Sequence, residues 1–177
     1  MSRPTLQRLV IAGTSGAGKT TLARAVSERL DLPFTEIDSL FHGPDWTPRE
    51  SFLDDVKAIA AGERWVSEWQ YEPARPILAA RATTMVWLDY PWPVQMSRAI
   101  RRTVRRRLRR EELWNGNQEG PLLSIFTDDE HIIRWAWQTR HKLRDLREQV
   151  SEEYPWLELI RHRSPRATRR WLDQIER

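Results

Sequence analysis

Leu9-Val10-Ile11-Ala12-Gly13-Thr14-Ser15-Gly16-Ala17-Gly18-Lys19-Thr20-Thr21-Leu22 runs from an apolar stretch through a glycine-punctuated turn into an amphipathic segment. The apolar stretch reads as a short buried strand. Residues 18–30 read as a helix, with Leu22, Val26 and Leu30 on one face at a spacing of four. The turn between them, Gly13 to Thr20, fits G-x-x-x-x-G-K-[ST]. The chemistry needs those residue types at those positions. Glycines let the backbone curl until its N–H groups point inward at phosphate oxygens. The helix N-terminus adds the positive end of its dipole. A lysine at position 19 reaches the β- and γ-phosphates, and the Thr20 hydroxyl is placed for a magnesium ion.

Outward from this turn, apolar runs and helical periods alternate along the chain. Asp31-Leu32-Pro33 stops the first helix, and Phe34–Asp38 reads as a second strand. Thr47-Pro48-Arg49-Glu50 looks like a helix start, and that helix runs to about Ala61 before Gly62. Trp65–Glu68 reads as a third strand, Thr84–Asp89 as a fourth and Trp156–Ile160 as a fifth. Long helices are expected over about 93–112 and 128–150, and Ser164-Pro165 caps a last one. This alternation predicts an α/β fold with a parallel sheet covered by helices on both faces. Residues 1–177 read as a single domain, and 113–127 is the long irregular stretch.

Composition narrows the class. The 177 residues contain no cysteine, which excludes disulfides, thiolate zinc sites and cysteine nucleophiles. There is no run of 18 apolar residues and no signal-peptide layout after Met1, so a cytoplasmic protein without a membrane span is expected. The net charge of +4 is uneven: residues 1–97 carry 10 basic and 12 acidic groups, residues 98–177 carry 19 and 13. The excess centres on Arg98–Arg110, where eight of thirteen residues are arginine. A positive field so concentrated calls for an anionic partner, phosphate or nucleic acid.

The motifs together resemble those of the adenylate-kinase-like P-loop kinases, and most of all the small bacterial proteins named DNA topology modulation proteins or adenylate-kinase-related kinases. The resemblance spans nearly the whole chain. It rests on Gly13–Thr20, Ile37-Asp38-Ser39-Leu40-Phe41, Arg64-Trp65-Val66, Val86-Trp87-Leu88-Asp89-Tyr90-Pro91, the arginine-rich helix and Arg163-Ser164-Pro165-Arg166. It implies a P-loop three-layer sandwich with a five-stranded sheet in the order 2-3-1-4-5, an acceptor flap at about 39–63 and an Arg-rich lid at about 109–128. It also implies ATP and Mg²⁺ outside the carboxyl ends of the strands. Gly13, Thr14, Ser15, Gly16, Ala17, Gly18, Lys19, Thr20 and Thr21 would hold the nucleotide, joined by Arg98 near the base, Arg102 near the phosphates, and Arg166. Asp38 would bind the acceptor or receive its proton. Glu68 ends the third strand, where the resembling proteins show Asp-Gly-Asn-Tyr and this chain has Glu68-Trp69-Gln70-Tyr71. It is expected to hold a Mg²⁺-bound water beside Thr20 and to border the acceptor. Arg49 and Arg75 are candidates for gripping an anionic acceptor.

At helical spacing Arg98, Arg102, Arg105 and Arg109 share one face, and Ile100, Val104 and Leu108 mark another. Guanidinium forks suit the charge that spreads over a phosphoryl group in transfer. The expected activity is transfer of the ATP γ-phosphoryl to a nucleotide or other small-molecule acceptor, with Lys19, Asp38 and Arg102 in the catalytic roles. The alternative is a nucleotide-dependent nucleic-acid-binding or regulatory ATPase, because a basic helix can also neutralise nucleic-acid phosphates. A degenerate fold that binds ATP without transferring it is a third reading. Trp46, Trp69, Tyr71 and Trp114 are expected near loops, where they could stack on an acceptor or base, whereas Trp65, Trp87, Trp135, Trp137 and Trp171 are expected in the core. His42 reads as a loop residue near the site.

Overall fold

The computed structural model describes residues 6–109, 112–117, 137–139 and 141–175. Four parallel strands form one sheet in the order β2-β1-β3-β4, with β1 Arg8–Gly13, β2 Trp65–Glu68, β3 Thr84–Leu88 and β4 Glu158–His162. β1 is central. Its Ile11 pairs with Glu68 on one side and Val86 on the other. The described α-helices include α1 Lys19–Leu30, α2 Ile37–Phe41, α3 Phe52–Ala61, α4 Ala74–Ala79, α5 Trp92–Leu108, α6 Leu146–Glu153 and α7 Pro165–Gln174.

Alternation along the strands divides the core into two layers. Val10, Ala12, Trp65, Met85 and Trp87 pack one face against Phe52, Val56, Leu78, Leu146 and Val150. Leu9, Ile11, Val66, Val86 and Leu88 pack the other against Leu22, Val26, Leu30 and Ile175. Because all four strands are parallel, Gly13, Glu68, Leu88 and His162 end at one edge of the sheet. The turn from β1 into α1 opens on that edge.

Among the described residues the sheet has four strands, not the five expected. The stretch Phe34–Asp38 makes a single parallel bridge, Phe34 to Val66, and then turns into α2. A missing donor and three hydrogen bonds explain the change. Pro33 has no N–H for a ladder. The Ile37 N–H donates to the Glu68 carboxylate at 3.3 Å instead of to a strand carbonyl. The Ser39 hydroxyl and N–H both donate to the Glu36 carbonyl, at 2.6 and 3.0 Å, which winds the chain into a helix. The bridge nevertheless leaves this segment beside β2, on the outer side of the sheet from β1. Strand β4 lies two residues later than expected.

The expected lid at about 109–128 falls outside the described residues apart from 109 and 112–117, as do residues 128–136 and 140 of the expected helix at about 128–150. Within 141–145 that helix is replaced by turns, with Arg144 N–H donating to the carbonyl three residues back, and α6 begins only at Leu146. No described helix is long and apolar enough to cross a membrane.

Candidate active site

The glycine turn has the shape its sequence requires. Gly16 and Gly18 sit at φ +79° and +96°, in the left-handed region. A Cβ on Gly16 would lie 2.2 Å from the Gln95 carbonyl oxygen and 3.2 Å from the Ala99 Cβ, so α5 rests directly on the turn. The inward face of α5 is correspondingly small or polar, with Gln95, Ala99 and Thr103 buried. Gln95 is bound at both ends: its amide donates to the Tyr90 carbonyl at 2.6 Å, and its oxygen accepts from the Thr14 hydroxyl. Ile100 and Leu108 point outward and are exposed.

Two arginines of α5 meet the turn. Arg98 donates to the Ala17 carbonyl at 3.3 Å and lies over the Tyr90 ring at 5.4 Å. Arg102 donates to the Ser15 hydroxyl at 3.5 Å. Arg166 stands exposed in the first turn of α7, just past the carboxyl end of β4. Thr21 follows Thr20 on α1 and is exposed.

Lys19, Thr20, Glu68 and Asp38 come together at the strand ends. The Lys19 ammonium donates to the Thr14 carbonyl at 3.5 Å. The Thr20 hydroxyl donates to Glu68 Oε1 at 2.6 Å. Glu68 is 1% exposed, and burial, reinforced by Asp38, pushes its carboxyl above the ordinary value in spite of Lys19 and the Thr20 bond. Burial pushes the Lys19 ammonium below its ordinary value, with Glu68 and Asp38 opposing that shift and Arg102 and Arg75 adding to it. A buried carboxylate beside a buried ammonium and a hydroxyl is a site organised around charge. Thr20 and Glu68 have the oxygen donors a magnesium ion takes. Among the described residues no group of three or more acidic or histidine side chains is placed to hold a metal ion.

Asp38 is held on α2. Its Oδ1 accepts from the Gln70 amide and from the Tyr71 hydroxyl, both at 2.6 Å. Tyr71 also faces His42 Nε2 at 3.1 Å and stacks on Phe41 with centroids 4.1 Å apart. Arg75 lies over the Trp69 ring at 4.5 Å, and burial lowers its pKa. Its Nε is buried with no hydrogen-bond partner. Arg49 turns into its own segment instead, donating to the Leu40 carbonyl at 3.1 Å and the Ser51 hydroxyl at 3.0 Å and pairing with Asp55 at 3.1 Å.

The segment 112–117 closes over the end of α2. Asn117 donates to the Gly43 carbonyl at 2.8 Å and accepts from the Trp46 N–H at 3.0 Å, and the Asn115 amide donates to the His42 carbonyl at 2.5 Å. Trp114 stacks on His42 at 5.9 Å. Sequence reasoning did not single out Gln95, Asn117 or the Tyr71–His42 contact. A polar residue one turn into a helix that lies on a glycine loop is a signal for Gln95; the other two depend on contacts between distant segments. Trp69 is core, at 1% exposure, while Trp137 is 52% exposed and stacks edge-on against Trp92.

The fold is similar to that of solved kinases. A gluconokinase from Sinorhizobium meliloti 1021 superposes with a TM-score of 0.55 at 19% identity, over 97% of this chain and 94% of that one. A shikimate kinase from Acinetobacter baumannii in complex with shikimate gives 0.53 at 20%, over 96% and 90%. No protein-family model matches the sequence, and no match is found among curated proteins. The α/β fold is therefore similar to that of these two kinases, over at least 90% of each chain.

Proposed function

We propose that the chain is an ATP-dependent small-molecule kinase of the adenylate-kinase-like class, akin to the small bacterial proteins its motifs resemble. The observation that carries this reading is the convergence of Lys19, Thr20, Glu68 and Asp38 at the mouth of the glycine turn. The turn's backbone N–H groups and Lys19 bind the β- and γ-phosphates. Thr20 and Glu68 would hold Mg²⁺, which would supply charge neutralisation at those phosphates. Arg102 and Arg98 flank the nucleotide from α5, with Arg166 at the neighbouring strand end.

Asp38 orients an acceptor hydroxyl and takes its proton as that oxygen bonds to the γ-phosphorus. The bond from the γ-phosphorus to the bridging oxygen breaks, and its electron pair leaves on ADP. Gln70 and Tyr71 occupy one oxygen of Asp38, which leaves Oδ2 for the acceptor. Arg75 offers a cation whose charge reaches Lys19. A hydroxyl site next to a cation suits a small acceptor carrying both a hydroxyl and an anionic group. The solved neighbours named gluconokinase and shikimate kinase agree with that chemistry.

The test is ADP formation from Mg·ATP with pooled hydroxy acids, sugar acids, nucleosides and nucleoside monophosphates. Acceptor-dependent ADP is expected, and it should fall by several orders of magnitude in a folded Lys19→Ala variant. Tight ATP binding with no acceptor-dependent turnover in any pool would favour a nucleotide switch instead.

A further inference from the structure

Tyr71 is a large aromatic residue with its backbone at φ +58°, in the left-handed region that favours glycine. Such a conformation persists only where surrounding contacts enforce it, and it gathers at functional sites. Here the ring is stacked on Phe41 and set edge-on against Phe52, with centroids 5.3 Å apart. What the conformation achieves is the placement of one hydroxyl, 2.6 Å from Asp38 Oδ1 and 3.1 Å from His42 Nε2.

The direction of these bonds follows from counting hydrogens. The phenol has one hydrogen, and it goes to the carboxylate. Burial and the Asp38 charge raise the Tyr71 pKa, so the phenol keeps that hydrogen. The phenol oxygen must then accept from the imidazole, and His42 Nε2 carries the N–H. His42 Nδ1 is buried without a hydrogen-bond partner, which suits a bare lone pair better than a second N–H. Phe41, Trp46 and Trp114 surround the ring and fix its plane.

We infer that Tyr71 and His42 are positioning residues for the proposed phosphoryl transfer, a chain from His42 Nε2–H through the Tyr71 hydroxyl to Asp38 Oδ1 that aims Asp38 Oδ2 at the acceptor hydroxyl. This rests on the kinase reading above and adds to it the residues that set the acceptor's approach.

Three variants separate this role from packing. Tyr71→Phe removes only the hydroxyl and should lower kcat by roughly 10- to 100-fold, the scale of a misplaced reacting group, while the KM for ATP stays within about twofold. His42→Gln puts an amide N–H near the Nε2 position and should retain most of kcat. His42→Phe keeps the aromatic packing but has no N–H, and it should fall with Tyr71→Phe. Wild-type kcat in Tyr71→Phe, or an active His42→Phe with an inactive His42→Gln, would overturn the inference.

A second measurement does not depend on turnover. Imidazole ¹⁵N spectra of the full chain, with the His42 signal assigned by its loss in His42→Gln, should show the neutral Nε2–H tautomer. That N–H should exchange faster with water in Tyr71→Phe. An Nδ1–H tautomer, or exchange unchanged in Tyr71→Phe, overturns the chain even if no acceptor is phosphorylated. Absence of turnover with the expected tautomer would instead count against the kinase reading alone.

Discussion

At the scale of single residues, the site depends on two kinds of exception. The first is a glycine that cannot be replaced. Gly16→Ala places a Cβ in a left-handed conformation and 2.2 Å from the Gln95 carbonyl oxygen. The turn and α5 must then move apart. The expected cost is at least about 1 kcal/mol, with loss of ATP binding, and calorimetry with thermal melts will read both. The second exception is buried charge. Glu68 titrates above the ordinary 4.5 because burial disfavours its anion. The folded chain therefore holds this proton more tightly than the unfolded chain, and that contribution to stability is lost as pH rises through the folded value. Lys19 has the opposite sign, since its depressed value gives stability that is present above 10.5 and lost as pH falls through its folded value. The nucleotide-free protein is thus penalised where both groups are charged. Melts at pH values from 4.5 upward should show the wild type losing stability relative to Glu68→Gln as Glu68 ionises.

At the scale of elements, the helices that carry the site are set by their ends and by their smallest residues. α7 starts where the Ser164 hydroxyl accepts from the Ala167 N–H at 3.2 Å, with Pro165 at the first helical position. Ser164→Ala removes that acceptor and should destabilise the chain by about 1 kcal/mol, a fall in Tm of about 2–4 °C for a chain of this size. α5 contacts the glycine turn through Ala99 and Gln95, not through its larger apolar residues. Gln95→Leu keeps the bulk but strips both bonds, to Thr14 and to Tyr90. It is expected to cost about 1–3 kcal/mol through the unpaired Tyr90 carbonyl and to weaken ATP binding, as measured by denaturant titration and calorimetry.

At the scale of the whole molecule, the parallel sheet brings four strand ends to one edge, and those ends, with the turns and helices that follow them, supply the groups in the proposed reaction. Binding there should report on the entire fold. With Mg·ATP at 100 times its Kd the chain gains about 2.7 kcal/mol by mass action. Thermal melts should rise accordingly with added Mg·ATP, and the rise should vanish in Lys19→Ala. A rise that persists in that variant would place the nucleotide somewhere other than the glycine turn.

The sequence by itself determined the glycine turn, its flanking strand and helix, and the α/β class, because each rests on local rules: apolar runs, helical spacing, and glycine where the backbone must turn left-handed. It also pointed to Lys19, Thr20 and Glu68, each at a helix start or strand end, while Asp38 entered through the family resemblance and a strand that does not form. Local rules could not show that Phe34–Asp38 abandons the strand. That outcome depends on the Glu68 carboxylate, some thirty residues away, taking the Ile37 N–H. Nor could they show that Arg49 folds back onto Asp55 while Arg75 stays near Lys19, because both look alike as solvated arginines in the chain. The chain from His42 to Tyr71 to Asp38 joins α2 and its C-terminal residue to the turn after β2, and its hydrogen-bond directions follow from burial and from which atoms meet. Only the tertiary structure decides those, because they are properties of the packed interior and not of any stretch of sequence.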